Sequence, residues 1–178
     1  MKAILVAIVL AVPAFAQGPA GSNPSPEAAC GPATIQFDTQ SAPKKAMDQP
    51  DVGKSQVYVI EVFDKVVGEI GHPTLRIGLD GAWMGAEKGS SYLAFSVDPG
   101  EHHLCAKGQS RLKRISQQEA FTGFTAEAGK IYYFRARLTE HGGSTGASNF
   151  TLDFDPVNPD EGKHLVASSD FVVSHPKN

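Results

Sequence analysis

Histidine is the residue type in this chain that most directly invites a chemical function. The chain has six histidines, and His102 and His103 are adjacent. Neighbouring side chains of a β-strand point to opposite faces, so this pair is badly placed to hold one metal ion. The other four lie in predicted loops or in the tail, at no spacing that zinc sites use: His72, His141, His164 and His175. We therefore predict surface or half-buried histidines, with no metal and no other cofactor.

The sequence signals for catalysis are equally weak. The chain has no H-E-x-x-H, Walker or G-x-G-x-x-G motif. Glu61 and Asp64 form an acidic pair near the end of a predicted strand, where solvated carboxylates are common. The prediction is a non-enzymatic protein. A metal-dependent or hydrolytic activity that uses His102 or His103 stays open as the alternative.

The surface most suited to binding is a row of aromatic and basic side chains on one predicted strand. Tyr133, Arg135 and Arg137 share the outer face of that strand, and Arg76 is expected to join them from another strand. Arginine beside aromatic rings suits anionic or sugar-like partners. A solvated strand face has the same composition, so that alternative also remains open.

The first sixteen residues have the pattern of a secretory signal peptide. Lys2 is the positive start, residues 3–12 form an apolar run, and A-x-A at Ala14–Ala16 predicts cleavage before Gln17. The apolar run is too short to span a bilayer. We predict an exported protein, periplasmic or extracellular, with no transmembrane segment after cleavage.

Export decides how the two cysteines are interpreted. In an oxidising compartment a disulfide between Cys30 and Cys105 is the expected state. It would close a loop of about 75 residues and stabilise the fold by about 4 kcal/mol if it acts through chain entropy. A lipid anchor at Cys30 is the competing interpretation. It is disfavoured because Glu27 stands where an apolar residue is expected, far beyond the apolar run.

Alternating polarity between turn residues predicts a chain built mainly of β-strands. The stretch Thr74–Lys107 has short apolar runs separated by the turns Asp80-Gly81 and Asp98-Pro99-Gly100, which predicts an antiparallel meander paired edge to edge. Gln56–Lys65 is apolar on both faces and is therefore expected to be central or covered. The remaining predicted elements follow in order: a polar loop over Gly108–Glu119, strands over Phe121–Ala126, Ile131–Thr139 and Phe150–Phe154, a helix that begins after Asn158, and a strand fragment at Phe171–Val173.

Composition and element order together predict the domain organisation. With 41% hydrophobic and 20% charged residues, the chain suits one globular domain with extensions. We divide it into a signal peptide (1–16), a flexible N-terminal arm (17–54), a β-sandwich core (55–140) and a C-terminal strand and short helix (141–178). The predicted class is all-β, an immunoglobulin-like or transthyretin-like antiparallel sandwich of about seven strands. The net charge of −3 argues against nucleic acid, which needs a concentrated basic face.

Four segments stand in an order that resembles a known bacterial family. They are Val57-Tyr58-Val59, Gly78–Gly81 with Trp83, Ser96–His102, and Ala128–Tyr133. The arrangement resembles the domain-of-unknown-function family 2846 over roughly Gln56 to Leu138, and its strand–Pro-Gly–strand element resembles PEGA-type β-domains of bacterial surface proteins. The resemblance implies a small exported β-sandwich and supplies no catalytic residues. Many such relatives have a lipobox, which this leader lacks.

These observations predict an exported, non-enzymatic module that binds an envelope protein or a cell-wall component. A third possibility is a small-ligand carrier, which would require an apolar cavity between the two sheets.

Overall fold

The computed structural model describes residues 26–44, 49–63, 72–142 and 148–177. The predicted signal peptide therefore lies outside the described residues. Two sheets pack face to face, which confirms the all-β sandwich class. The strands are β1 (Phe37–Ser41), β2 (Ser55–Phe63), β3 (Thr74–Leu79), β4 (Ala82–Lys88), β5 (Ser91–Val97), β6 (Gly100–Gln109), β7 (Glu119–Ala126), β8 (Ile131–His141), β9 (Asn149–Val157) and β10 (Asp170–Pro176). The α-helices are α1 (Lys113–Ser116) and α2 (Pro159–Ser168).

The described residues thus form ten strands, and the prediction of about seven is wrong. The seven strands β2 to β8 begin within the predicted core 55–140. The other three come from the arm and the C-terminal part, which add strands to the margins of the larger sheet. None of the helices in the described part of the chain is long and apolar enough to cross a membrane.

The strand order shows how the chain alternates between the sheets. One sheet has the order β1-β10-β5-β2-β8-β9 and the other β4-β3-β6-β7. β3 and β4 form the predicted hairpin at Asp80-Gly81, but β5 pairs with β2 in the larger sheet and β6 pairs with β3. The meander predicted over Thr74–Lys107 is therefore wrong at β5. Alternation shows which face of a strand is buried, and it does not show which strand lies beside it.

The strand β2 is central, as its two apolar faces predicted. It lies between β5 and β8 in the larger sheet. Val57 and Val59 face the core between the sheets, whereas Tyr58 and Ile60 belong to a second apolar cluster on the outer face. A strand that is apolar on both faces must have other elements packed against each face. The helix α2 packs on this outer face.

The helix α2 is positioned by its cap and by one glycine. The Asn158 side-chain oxygen accepts from the backbone N–H groups of Asp160 (3.1 Å) and Glu161 (3.0 Å), as the Asn-Pro sequence predicted. A Cβ at Gly162 would lie 2.2 Å from the Tyr133 ring. Only glycine allows the helix backbone to approach the sheet this closely.

The N-terminal arm lies across the outer face of the smaller sheet. The predicted disulfide between Cys30 and Cys105 is present, with a Cα–Cα distance of 5.2 Å, inside the usual range for such bonds. The Trp83 indole N–H donates to the Pro32 carbonyl oxygen at 2.9 Å. The segment then reaches β1, which pairs antiparallel with β10. The described part of the arm is therefore held by hydrogen bonds and by the covalent link.

The connection between β6 and β7 contains one turn of helix, which the polar-loop prediction missed. Ile115 of α1 is only 2% exposed and belongs to the main core cluster. A Cβ at Gly108 would lie 2.1 Å from the Ile115 carbonyl oxygen, so glycine is required for this close approach. One buried isoleucine thus anchors an otherwise polar segment against the sandwich.

Candidate binding groove

An open groove of about 630 Å³ lies at the end of the sandwich where β3 begins and β4 and β6 end. This volume falls in the range of roughly 300–1,000 Å³ usual for small-molecule sites. Its lining comes from five separate segments of the chain: Gln36, His72, Pro73, Thr74, Lys88, Gln109, Ser110, Arg111, Leu112, Ile115 and Lys177. We call it the basic groove.

A glutamine at the end of β6 joins the arm to the groove. The Gln109 side-chain oxygen accepts from the backbone N–H of Phe37 at 2.8 Å, and its amide donates to the carbonyl oxygen of Phe37 at 2.7 Å. The side chain thus pairs with β1 in the way that a neighbouring strand would. The next backbone contact, from the N–H of Lys177 to the Gln36 carbonyl oxygen (2.8 Å), fixes two further lining residues.

The charge of the groove is positive. Lys88, Arg111 and Lys177 line it, and none of the described lining residues is acidic. Lys177 contacts Asp38 at 3.2 Å, but Asp38 is 77% exposed and its attraction is screened by water. Neither Lys88 nor Arg111 has an ion-pair partner among the described residues. Both remain available to an anion.

The floor of the groove is apolar. Pro73 and Ile115 are buried beneath it, and Leu112 is 42% exposed at its edge. The His72 ring lies 5.5 Å from the Phe63 ring, measured between centroids. The groove therefore combines a small apolar surface with a polar and cationic margin.

The predicted binding row does not form one open surface. Tyr133 is buried beneath α2, with 4% of its surface exposed. The Arg135 guanidinium binds the Glu161 carboxylate of α2 at 2.6 Å. Arg137 is half-buried and lies opposite Asp153 in the register of β8 and β9. Acidic neighbours offset the charge of this row, and its role in binding stays a prediction.

Arg76 lies in the other sheet and does not join that row. It is 5% exposed, and its guanidinium donates to the carbonyl oxygens of Ala33 (3.2 Å) and Ile35 (2.6 Å). It also stacks over the Trp83 ring at 4.6 Å. These contacts fix the arm on the smaller sheet, which is a structural role.

His102 is held between two acceptors at the opposite end of the sandwich. Its Nδ1 contacts the Asp80 carboxylate at 2.6 Å, and its Nε2 contacts the Asp98 carbonyl oxygen at 2.7 Å. Because both partners only accept, the two bonds together require the doubly protonated ring. Partial burial disfavours that charge, but the hydrogen bonds and charges of Asp80 and Asp98 outweigh it and raise the pKa of His102. Within the described residues, no group of three metal-ligating side chains includes it.

Replacing His102 by glutamine is expected to destabilise the protein at pH 5.5 by about 0.5–1.5 kcal/mol, the usual worth of one hydrogen bond. A raised folded-state pKa gives stability that is complete below the ordinary value of 6.5 and is lost as pH rises through the folded value. The difference in free energy of unfolding between the parent protein and His102→Gln, measured by urea titration, should therefore be smaller at pH 9 than at pH 5.5. Asp80→Asn is the matched control, since asparagine still accepts from the His103 N–H but removes the charge. If the H102Q effect is the same at both pH values, the ring is not charged in the fold.

Two glutamates lie fully buried between the sheets. Glu61 and Glu87 are both 0% exposed, so the expectation of a solvated Glu61 is wrong; Asp64 lies outside the described residues. One Glu87 oxygen accepts from the Leu93 N–H at 2.9 Å, whereas both Glu61 oxygens lack a partner in the described structure. Burial raises the pKa of each, and for Glu61 the charge of Glu87 raises it further.

The sequence Gly142–Gly146 reads G-x-S-x-G, which marks the nucleophile of many hydrolases. In those enzymes the serine stands between a strand and a helix. Here the segment connects β8 to β9, two antiparallel neighbours, and residues 143–147 lie outside the described residues. The surrounding fold therefore does not match the hydrolase motif.

No protein-family model, curated protein or solved structure matches this chain. The basic groove is the feature that sequence reasoning missed. Its only sequence signal is the basic stretch Arg111–Arg114 within the predicted polar loop.

Proposed function

We propose that this protein is an exported, non-enzymatic β-sandwich module that binds a cell-wall component or an envelope protein through the basic groove. The observation that carries the proposal is a groove of ligand size that is lined by three cations and, within the described part of the chain, by no acid. The predicted signal peptide, the disulfide and the resemblance to family 2846 and PEGA-type domains support an envelope location. That resemblance also favours the finer assignment to an immunoglobulin-like or transthyretin-like sandwich.

The alternatives are less well supported by the geometry. The side chain of His102, central to a metal or hydrolytic site, is engaged at both ring nitrogens. A carrier needs an apolar cavity, whereas the space between the sheets holds packed side chains such as Phe134 and Leu138. The groove opens on the surface instead and has a polar lining.

Replacing Lys88 and Arg111 by alanine is expected to reduce retention on the natural partner by about tenfold or more, because each cation contributes charge-assisted hydrogen bonds. The measurement is sedimentation of purified mature protein with insoluble peptidoglycan, alongside capture on immobilised envelope proteins. Both side chains are exposed, so the fold and the melting temperature should be kept.

The matched control is Lys130→Ala combined with Lys163→Ala, which removes the same charge from exposed positions away from the groove. This control should be retained like the parent protein. Retention that is unaffected by the groove substitutions, or absent for the parent in both assays, would refute the proposed function.

A further inference from the structure

The lining of the basic groove indicates a more specific ligand, an inference that rests on the proposed function. We infer that the groove binds an acidic saccharide, a polyhydroxylated ligand with carboxylate or phosphate groups. Three independent features of the lining carry this inference: its cations, its neutral polar groups and its apolar floor.

The cations are placed for more than one anionic group. Lys88 ends β4, Arg111 follows β6, and Lys177 follows β10, so the three come from three separate elements. An arginine guanidinium binds carboxylate or phosphate with two parallel hydrogen bonds, and lysine adds a point charge. A bound anion can displace Asp38 from Lys177, because Asp38 is exposed and exposed ion pairs are weak.

The neutral groups suit hydroxyls. Thr74 and Ser110 each offer a hydroxyl that can donate, and Gln36 offers an exposed amide. The Ser110 oxygen already accepts from the Leu112 N–H at 3.1 Å. Gln109 uses its side-chain oxygen and one N–H on Phe37, which leaves a second N–H in the groove. A sugar hydroxyl can both donate to and accept from these groups, whereas a fully ionised inorganic anion can only accept.

The floor and the strand geometry separate a saccharide from other polyanions. Leu112, 42% exposed above the buried Pro73 and Ile115, gives a small apolar surface for the C–H face of a sugar ring. The lining residues that the structure describes include no Phe, Tyr or Trp, the side chains on which bases of single-stranded nucleic acids usually stack. Peptides commonly add a strand to a sheet edge, but the strands reach this groove with their ends: Thr74 begins β3, and Lys88 and Gln109 end β4 and β6.

Calorimetric titration of the mature chain with defined probes tests this inference. Trigalacturonate is compared with neutral galactotriose, and glucose 6-phosphate with glucose, so the two arms distinguish carboxylate from phosphate. Inorganic phosphate and a triglutamate peptide are the non-saccharide probes. We expect at least one acidic sugar to bind about tenfold or more tightly than its neutral counterpart, since a hydrogen bond to a charged group contributes at least this much. Its binding should also weaken as salt is added.

The same variants locate the site. The combined substitution Lys88→Ala and Arg111→Ala should lower the affinity for the acidic sugar by about tenfold or more. The control, Lys130→Ala with Lys163→Ala, should leave that affinity within about twofold of the parent value. The inference would be overturned if neither acidic sugar bound, or if the neutral sugars bound as tightly as the acidic ones. It would also be overturned if inorganic phosphate or triglutamate bound as tightly as the acidic sugars. If peptidoglycan retention depends on the groove and no acidic sugar binds, the inference fails and the proposed function stands. If an acidic sugar binds through the groove and the protein is retained in neither envelope assay, the inference stands and the proposed function fails.

Discussion

Replacing Cys105 by serine is expected to lower the free energy of unfolding of the oxidised protein by about 2–5 kcal/mol. The bond joins cysteines 75 positions apart, so it restricts the unfolded chain over a long loop. Cys105 is also fully buried, between the outer face of β6 and the arm. Guanidinium titrations of the parent and the variant, both under oxidising conditions, measure the loss directly.

Two comparisons separate the covalent bond from the local packing. Cys30→Ser leaves Cys105 as a buried thiol, and it should lose nearly as much stability as the Cys105 variant. A dithiol reductant should lower the stability of the parent and leave both variants unchanged. An unchanged transition midpoint in the variants would show that the two cysteines are not paired in the folded protein.

The covalent link also matters for the site, because the arm continues from Cys30 into the groove. Arg76 holds the carbonyl oxygens of Ala33 and Ile35, and Gln36 then lines the groove. A segment fixed at several points has less conformational entropy to lose when a ligand binds. The disulfide on one sheet thus helps to position binding residues at the end of the sandwich.

Local sequence patterns identified most of the strands. Alternation at Leu75 and Ile77, the Asp80-Gly81 turn and the Asn158-Pro159 helix start are decided by neighbouring residues, and all are present. Sheet membership is decided by contacts between distant segments, which alternation does not record. For that reason the predicted meander has β5 in the wrong sheet, although the strand itself is predicted correctly.

The groove was harder to predict for the same reason. Its lining joins Gln36, Lys88, Arg111 and Lys177, which are far apart along the chain and meet only after the sheets pack. The predicted row on β8 followed a visible pattern instead, and the structure covers Tyr133 with a helix. The placement of α2 over the sheet depends on contacts between distant residues, among them the close approach of Gly162 to Tyr133 and the ion pair of Arg135 with Glu161.

Replacing Glu61 by glutamine is expected to raise the free energy of unfolding at pH 7 by about 1–3 kcal/mol, because a carboxyl kept neutral in the fold loses about 1.4 kcal/mol of stability for each pH unit above its ordinary pKa. Burial first, and the charge of Glu87 second, raise the pKa of Glu61 well above its ordinary value. The folded state therefore binds more protons than the unfolded state once the pH exceeds about 4.5, the ordinary value. Stability is lost as the pH rises from that value through the folded-state pKa, and glutamine removes this loss.

The pH dependence distinguishes this explanation from a simple change in packing. Glutamine has the shape of a protonated glutamate, so Glu61→Gln should have little effect at pH 4, where the carboxyl is neutral in the folded state. Urea titrations at pH 4 and pH 7 measure both values, and the exposed Glu101→Gln is a control that should change neither. If Glu61→Gln instead destabilises the protein at pH 7, the Glu61 carboxyl is not kept neutral at a cost to the fold, and this explanation is wrong.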